Sequence, residues 1–408
     1  LQPGIYILSS KYTSQVKVIL DNETDGTVTL ILNGTNISNL LGPGILFTIV
    51  HEIDTEEYSQ EKPITYDKAI NLNFTHAGAK IIIADDSENI VIGNRSENFD
   101  GAVYSKMSMS VNGGKKGNGR LTIWGNCTGC EGLDSDKHLE INGGILNIAA
   151  GDDGINASEE FGSALIINGG KIFVNAGSFA ERGDGIDANG ILIINGGELV
   201  VAANAYVDAG LEGELGIIVN GGKVTTFGCG NHAADKESGQ NTMNLYFDFL
   251  VDVDNVLTLE DNEGNVLIEY CPAKAGFVEG TQLHQYSEAT ISFPEFEIYK
   301  IYGKTFRIRN KNKSRNVSDP RYGKENQNNY GRLTSVDLIL VDLIWVDTEV
   351  DMMDILEVVE LMKIGKIKEE VDILKLIKIM EMFYLEQADQ IMLISIILMV
   401  LMVIIITE

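Results

Sequence analysis

Acidic residues recur at a fixed place in the sequence, each time beside a glycine and an aliphatic residue. The motif reads EGLDSD at 131–136, DGINAS at 153–158, DGIDAN at 184–189 and AGLEGE at 209–214. If the copies stack at about 5 Å, they predict two columns of acidic and amide side chains. The first column contains Glu131, Asp153 and Asp184, and the second contains Asp134, Asn156, Asp187 and Glu212.

Two interpretations of these columns remain open. Carboxylate and amide oxygens suit Ca²⁺, which accepts about six to eight oxygen ligands in a flexible geometry and would remove the repulsion between neighbouring acids. The alternative is a solvated acidic face with counterions. Repetition in register, and the adjacent pair Asp152 and Asp153, favour calcium.

A second motif sets the period of the chain. VNGG at 111–114 recurs as INGG at 141–144, 167–170 and 194–197, and as VNGG at 219–222. Its asparagines, at positions 112, 142, 168, 195 and 220, are separated by steps of 30, 26, 27 and 25 residues. Short alternating apolar stretches flank each turn, and strands this short bury a face only when neighbouring coils stack. Asn and Gly suit the positive φ of such a turn.

These features predict an all-β fold, a right-handed parallel β-helix over residues 1–240 whose clearest coils are 102–230. The asparagines should form a hydrogen-bonded ladder, and the inward aliphatic residues a continuous core. The leucine-rich repeat pattern is absent, and the short runs of period two exclude helical repeats.

The composition restricts the partners. With 59 Asp plus Glu against 31 Lys plus Arg, the formal net charge is -28, so nucleic acid and anionic membrane surfaces would be repelled. Metal cations and cation-bridged ligands are the expected partners.

Catalytic residues are harder to find. A calcium-dependent polysaccharide lyase needs an Arg or Lys base beside the metal, and Arg182 is the one arginine between residues 131 and 230. A single arginine near an acidic loop is more typical of a salt bridge. No pair of carboxylates stands out for hydrolysis, and no Ser/His/Asp set is evident.

Several segments together resemble a family of bacterial carbohydrate-binding proteins with a pectate-lyase-like β-helix, typified by a clostridial surface protein that binds cellulose and polygalacturonate. The resemblance covers roughly residues 16–300. It depends on VTLILNGTNIS at 28–38, the stretch from AVYSK to LTIWGN at 102–126, the GDDGINA and GDGIDANG coils, and DNEGNVLIEYCPAK at 261–274.

The resemblance implies calcium held by coil aspartates, binding of acidic plant polysaccharide and no established catalysis. Mapped onto this sequence, the implied ligands are Asp134, Asp152, Asp153, Asp184 and Asp187. Departures are Ala209 and Asn156 in place of acids, and an insertion of unclear role at 51–75.

The expected function is therefore non-catalytic, calcium-dependent binding of polygalacturonate or pectin-like polysaccharide, with cellulose as a further ligand. The alternatives are a lyase on the same scaffold, with Arg182 as its base, and a structural surface or adhesion module. We expect an extracellular or cell-surface location, although the chain begins at Leu1 without a leader, as a mature form or a fragment would.

The remaining segments carry weaker signals. We expect a β cap at 241–300 and a basic, polar linker at 301–333. Residues 334–408 form a hydrophobic low-complexity tail, whose apolar run at 391–406 is shorter than the roughly 20 residues needed to span a bilayer. If residues 336–344 are back-translated with permitted codons and the reading frame is shifted by one nucleotide, the new translation is rich in glycine. This favours a frameshift product after about residue 332. For Cys127 and Cys130, a disulfide or free thiols are favoured over a metal site.

Overall fold

The computed structural model describes residues 2–292, 305–309 and 330–333, except for gaps at 13, 20–25, 179–181, 204–207, 233, 236, 241, 261–265, 280 and 282. Within these residues, helix is limited to α1 (Tyr66–Ile70) and the 3-10 turns Phe74–His76 and Pro272–Lys274. No described helix is long and apolar enough to cross a membrane. The predicted tail and its apolar run lie outside the described residues.

Three parallel sheets wind into a β-helix of about eight coils, which confirms the predicted fold class. The first sheet contains β1 (Gly4–Leu8), β4 (Val28–Leu32), β7 (Ala79–Ile83), β10 (Met109–Gly113), β13 (Leu139–Ile141), β16 (Ala164–Ile167), β19 (Ile191–Ile194) and β21 (Gly216–Val219). The second contains β2 (Lys11–Tyr12), β5 (Asn36–Ser38), β8 (Glu88–Gly93), β11 (Arg120–Gly125), β14 (Ile145–Ala149), β17 (Lys171–Asn175), β20 (Glu198–Ala202) and β22 (Lys223–Gly228). The third contains β3 (Val16–Ile19), β6 (Ile45–Ile49), β9 (Gly101–Ser105), β12 (Glu131–Ser135), β15 (Ile155–Ala157) and β18 (Ile186–Ala188).

The core is a set of stacked aliphatic columns inside the coils. In the first sheet, equivalent inward positions are in register from coil to coil and fully or almost fully buried. One such column contains Leu30, Ile81, Val111, Ile141, Ile167, Ile194 and Val219. Period-two alternation directs these side chains inward, and stacking removes both faces of each apolar group from water.

The Asn-Gly-Gly turns join the first sheet to the second. Each asparagine Nδ2 from Asn142 onward donates to the Oδ1 of the preceding asparagine, at 2.9, 2.8, 2.9 and 2.9 Å, so the predicted ladder is present. The left-handed backbone falls on the second glycine, with φ of 89°, 104°, 99° and 95° in the last four turns. The asparagine supplies the hydrogen bond and the glycine supplies the positive φ.

The insertion noted in the sequence lies within residues 51–78, which we call the strap. The strap contributes Ile64 and Phe74 to a buried cluster with Ile166, Ile193 and Ile218, which face outward from the first sheet. Its backbone is anchored where Ile64 N–H donates to Phe161 O at 2.8 Å. The strap therefore covers an apolar sheet face that would otherwise meet solvent.

A buried polar cluster fixes the start of the strap. Asp54 is 3% exposed and accepts a hydrogen bond from the Tyr58 hydroxyl at 2.6 Å, while Lys68 Nζ lies 3.2 Å from its other oxygen. His138 Nε2 lies 3.4 Å away, and His138 Nδ1 accepts the Ala164 N–H at 3.1 Å. Burial would raise the pKa of Asp54, but the nearby His138 ring and the hydrogen bond from Tyr58 hold it well below its ordinary value.

The last coil is closed by strands that run the other way. β22 pairs antiparallel with β26 (Tyr286–Ser292), which pairs with β23 (Thr242–Val251). A second antiparallel sheet contains β24 (Val256–Glu260), β25 (Val266–Tyr270), β27 (Thr305–Arg309) and β28 (Tyr330–Leu333). The last two of these strands lie inside the segment expected to be a linker, and the domain boundaries themselves remain predictions.

Candidate functional site

The acidic motifs lie at the start of strands in the third sheet, where loops arrive from the second sheet. Asp134 aligns with Asn156, and Asn156 with Asp187, in consecutive coils. An isolated bridge between Ile186 and Leu211 extends this alignment toward Glu212. The stacking of coils therefore turns a sequence repeat into a line of oxygen ligands.

Three acids converge at one end of this line. One carboxylate oxygen from each of Asp100, Glu131 and Asp134 lies within 4.8 Å of the others. Asp134 is 2% exposed, and the other two are half-buried. Glu131 begins β12, whereas Asp100 precedes β9 in the coil before it, and Glu131 N–H donates to Asp100 O at 3.0 Å. We call these three residues the acidic triad.

Two buried oxygens, one in the triad and one beside it, accept no hydrogen bond from any described residue. Asn156 is 6% exposed and donates its Nδ2 to Glu131 Oε1 at 2.9 Å. Asn156 Oδ1 and Glu131 Oε2 are buried without a partner among the described residues. Such acceptors normally find a donor or a cation, and an all-oxygen set of this kind matches the ligand preference of Ca²⁺. The residues present therefore fit a hard divalent cation.

The electrostatics of the triad point the same way. Burial, together with Asp134 and Asp100, raises the pKa of Glu131 well above its ordinary value. Burial, together with Asp100 and Asp136, likewise raises the pKa of Asp134. A group of buried carboxylates without a counterion must retain protons, and a bound cation would replace them.

The acids of the following coils are held by backbone hydrogen bonds. The Asp153 carboxylate accepts the Asp184 N–H at 2.7 Å, and the Asp184 carboxylate accepts the Ala209 N–H. Burial, reinforced by Glu212 and Asp187, raises the pKa of Asp184 to about 8. Burial and Glu212 raise the pKa of Asp187 to about 7. The negative face therefore continues beyond the triad.

The structure separates the five predicted ligands into different positions. Asp134 lies in the triad, Asp153 and Asp184 follow one another at strand starts, and Asp187 shares the Asp134 column. Asp152 lies in the preceding loop, where its N–H donates to Cys130 O at 2.9 Å and its carbonyl accepts the Gly177 N–H at 3.0 Å. Whether these five residues bind a metal remains a prediction.

Sequence reasoning missed Asp100 as a member of the candidate site. It placed Glu131 in the first acidic column but not among the five ligands that the resemblance implies. The missed signal is the run Asp100-Gly101-Ala102-Val103, an acid followed by glycine and aliphatic residues, as in the later coils. The coil that contains Asp100 is offset by one residue, since Glu131 aligns with Gly101 rather than with Asp100. The offset brings two acids together where one was expected.

Cys127 and Cys130 form a disulfide in the loop that leads to Glu131, whereas Cys229 and Cys271 are free thiols. This outcome agrees with the preference for a disulfide or free thiols over a metal site. Arg182, the candidate lyase base, is exposed and lies immediately before Gly183 and Asp184.

The segment that contains this site matches a known protein family. Residues 60–246 match the family described as carbohydrate-binding domain-containing protein. The match confirms the resemblance found in the sequence. No curated protein matches the chain. Among solved structures, the chain is similar to the polysaccharide lyase-like protein from C. thermocellum, studied as a gadolinium derivative, with 18% identity, a TM-score of 0.37, and coverage of 57% of this chain and 84% of that one.

Proposed function

We propose that the carbohydrate-binding segment of residues 60–246 binds an acidic plant cell-wall polysaccharide of the polygalacturonate type, through calcium and without catalysis. The observation that carries the proposal is the acidic triad of Asp100, Glu131 and Asp134, with its carboxylate oxygens within 4.8 Å and unpartnered acceptors beside it among the described residues.

Charge explains why a cation is needed. A polygalacturonate chain is a periodic anion, and the protein has a formal net charge of -28. Direct contact would be repulsive, particularly at a half-buried site where the effective dielectric constant is low. Bound calcium would supply positive charge that protein and sugar carboxylates can share.

The shape of the site suits a linear polymer. The Asp134, Asn156 and Asp187 column crosses three consecutive coils, with about 4.8 Å between neighbouring strands. Cations held along such a row could bind several sugar units at once. The proposal therefore favours long chains over monosaccharides.

The disulfide supports an extracellular or cell-surface location. Disulfides persist mainly in oxidising compartments, and Cys127 and Cys130 are joined in the loop beside the triad. A protein outside the cell would also meet both the polysaccharide and free calcium.

The test is titration calorimetry of the full chain with polygalacturonate, after chelator treatment and again with calcium restored. We expect binding only with calcium, and no rise in the ultraviolet absorbance of unsaturated uronides. Glu131→Gln should abolish most of the binding. Glu97→Gln, which changes an exposed acid in the loop that precedes Asp100, is the matched control.

Other outcomes would replace the proposal. Release of unsaturated product would establish a lyase and make Arg182 the first residue to replace. Binding to cellulose but not to polygalacturonate would overturn the acidic preference. Absence of binding to either polymer, with or without calcium, would leave a structural surface module.

A further inference from the structure

The β-helix contains three arginines, and two of them form no ion pair within the described part of the chain. Arg120 Nε lies 3.3 Å from Glu88 on the second sheet. Arg95 and Arg182 are both exposed, and neither forms an ion pair with any residue that the structure describes. In a chain with 59 acidic residues, such guanidinium groups need an explanation.

Arg95 extends from the loop between β8 and β9 across the next coil. Its Nη1 atom lies 2.6 Å from the point that a Cβ atom on Gly129 would occupy, and Asp152 Oδ2 lies 3.8 Å from the same point. The Arg95 N–H donates to Cys130 Sγ at 3.0 Å. A glycine held in a disulfide-closed turn therefore leaves the space that the Arg95 guanidinium occupies, near the Asp152 carboxylate.

Arg182 approaches Asp152 from the following coil. The backbone at Gly183 is fixed, because its N–H donates to Asp208 Oδ2 at 2.6 Å. A Cβ atom on Gly183 would lie 2.4 Å from Asp152 O, so the two backbones are in close contact. Gly183, the residue that follows Arg182, is therefore held against the backbone of Asp152.

The electrostatics of Asp152 agree with this geometry. Burial and the neighbours Asp208 and Asp100 raise its pKa, while Arg95 and Arg182 both oppose the rise. Both positive charges therefore act on the same carboxylate, although they come from different coils.

We propose that Arg95 and Arg182 bind sugar carboxylates of the polysaccharide directly, on the two sides of Asp152, beside the cation held by the acidic triad. This inference rests on the proposed function and adds the groups that select a free acid. A guanidinium binds a carboxylate through paired hydrogen bonds, and methyl esterification of the sugar acid removes its charge. The site should therefore prefer unesterified polygalacturonate over its methyl ester. The ratio of the two affinities should be larger than cation bridging alone would give.

The experiment uses the full chain with saturating calcium and titrates polygalacturonate and its methyl ester into Arg95→Ala, Arg182→Ala and the Arg120→Ala control. We expect each of the first two variants to bind polygalacturonate about tenfold more weakly, since charge-assisted hydrogen bonds are lost. Arg120→Ala should bind like the wild type. Binding of the methyl ester should change little in any variant.

Two further measurements separate this role from a structural one. Calcium affinity without polysaccharide should not fall in Arg95→Ala or Arg182→Ala, because removing a positive charge near Asp152 does not weaken cation binding. Arg95→Lys and Arg182→Lys, which keep the charge but lose the paired hydrogen bonds, should weaken binding several-fold. The inference is overturned if the wild type binds polygalacturonate and the arginine-to-alanine variants bind it equally well. A wild type that binds no polygalacturonate overturns the proposed function as well.

Discussion

Asp153 and Asp184 occupy the same position in consecutive coils, and the Asp153 carboxylate accepts the Asp184 backbone N–H at 2.7 Å. Asp184 likewise accepts the Ala209 N–H, so both carboxylates are fixed to the backbone of the neighbouring coil. They cannot rotate apart to relieve their repulsion, so the charge must be balanced by protons or by a cation.

The cation-free protein should lose stability as the pH rises from about 6 to about 8. The folded-state pKa values of Asp184 and Asp187 are raised to about 8 and about 7, from 3.8. In this range the folded protein holds protons that the unfolded chain has released, so raising the pH favours unfolding. Thermal unfolding in chelator, followed by circular dichroism, should show a falling Tm. Saturating calcium should raise the Tm more at the higher pH, and an equal rise at both pH values would contradict the argument.

Neutralising the triad should affect the cation-free and cation-bound proteins in opposite directions. Glu131→Gln and Asp134→Asn each remove a carboxylate whose pKa is raised by burial and by neighbouring acids. Each variant should raise the Tm in chelator, because repulsion is removed, and should weaken calcium binding about tenfold through loss of a charged ligand. Calcium titration against a fluorescent chelator measures the affinity. Unchanged affinity in both variants, relative to Glu97→Gln, would exclude the triad as the site.

Replacing Gly129 should impair polysaccharide binding through Arg95. Gly129 and Gly117 have almost the same backbone, with φ of +66° and +65°, but a methyl group added at Gly129 would meet Arg95 and Asp152, whereas one added at Gly117 would meet no described atom within 4 Å. Alanine at either position should cost about 1–2 kcal/mol of stability because of the left-handed φ. Only Gly129→Ala should weaken polygalacturonate binding, to about the level of Arg95→Ala. Equal affinities of Gly129→Ala and Gly117→Ala would count against the route described for Arg95.

Removing Asp54 should loosen the strap. Asp54→Ala leaves the Tyr58 hydroxyl without its acceptor, whereas Lys68 is about one-third exposed and keeps Glu56 Oε1 as a partner at 2.9 Å. An unsatisfied buried polar group costs about 1–3 kcal/mol, so we expect a loss of about 2 kcal/mol. Urea unfolding measures the change, and Asp67→Ala, at an exposed position in α1, is the control. Since the Asp54 pKa is lowered, its contribution should disappear as the pH falls below about 4.

The parts of the fold that depend on local pattern were predictable. The alternation around Leu139 and Ile141 is enough to orient both side chains inward, and the spacing of the asparagines is enough to place Asn142 beside Asn168. The strap was not predictable, because Ile64 packs against Ile166, Ile193 and Ile218, and only the coil register brings those three residues together.

The acidic character of the candidate site was predictable from the sequence, but not all of its residues were. Repetition identified Asp134 and Asp187 as members of one column. Asp100 was missed because the loop before β9 enters the third sheet one residue out of step with the later coils. Arg95 was not considered because its guanidinium lies over Gly129 of the next coil, near Asp152, and no spacing in the sequence indicates this proximity.

The strap also restricts how this solenoid can change in evolution. It contacts Ser108 through Glu52, His138 through Asp54 and the outward isoleucines of later coils through Ile64. Deleting or duplicating one coil within that span would displace every later contact by about 4.8 Å. The number of coils beneath the strap is therefore fixed by its length, and gain or loss of repeats is expected only outside it.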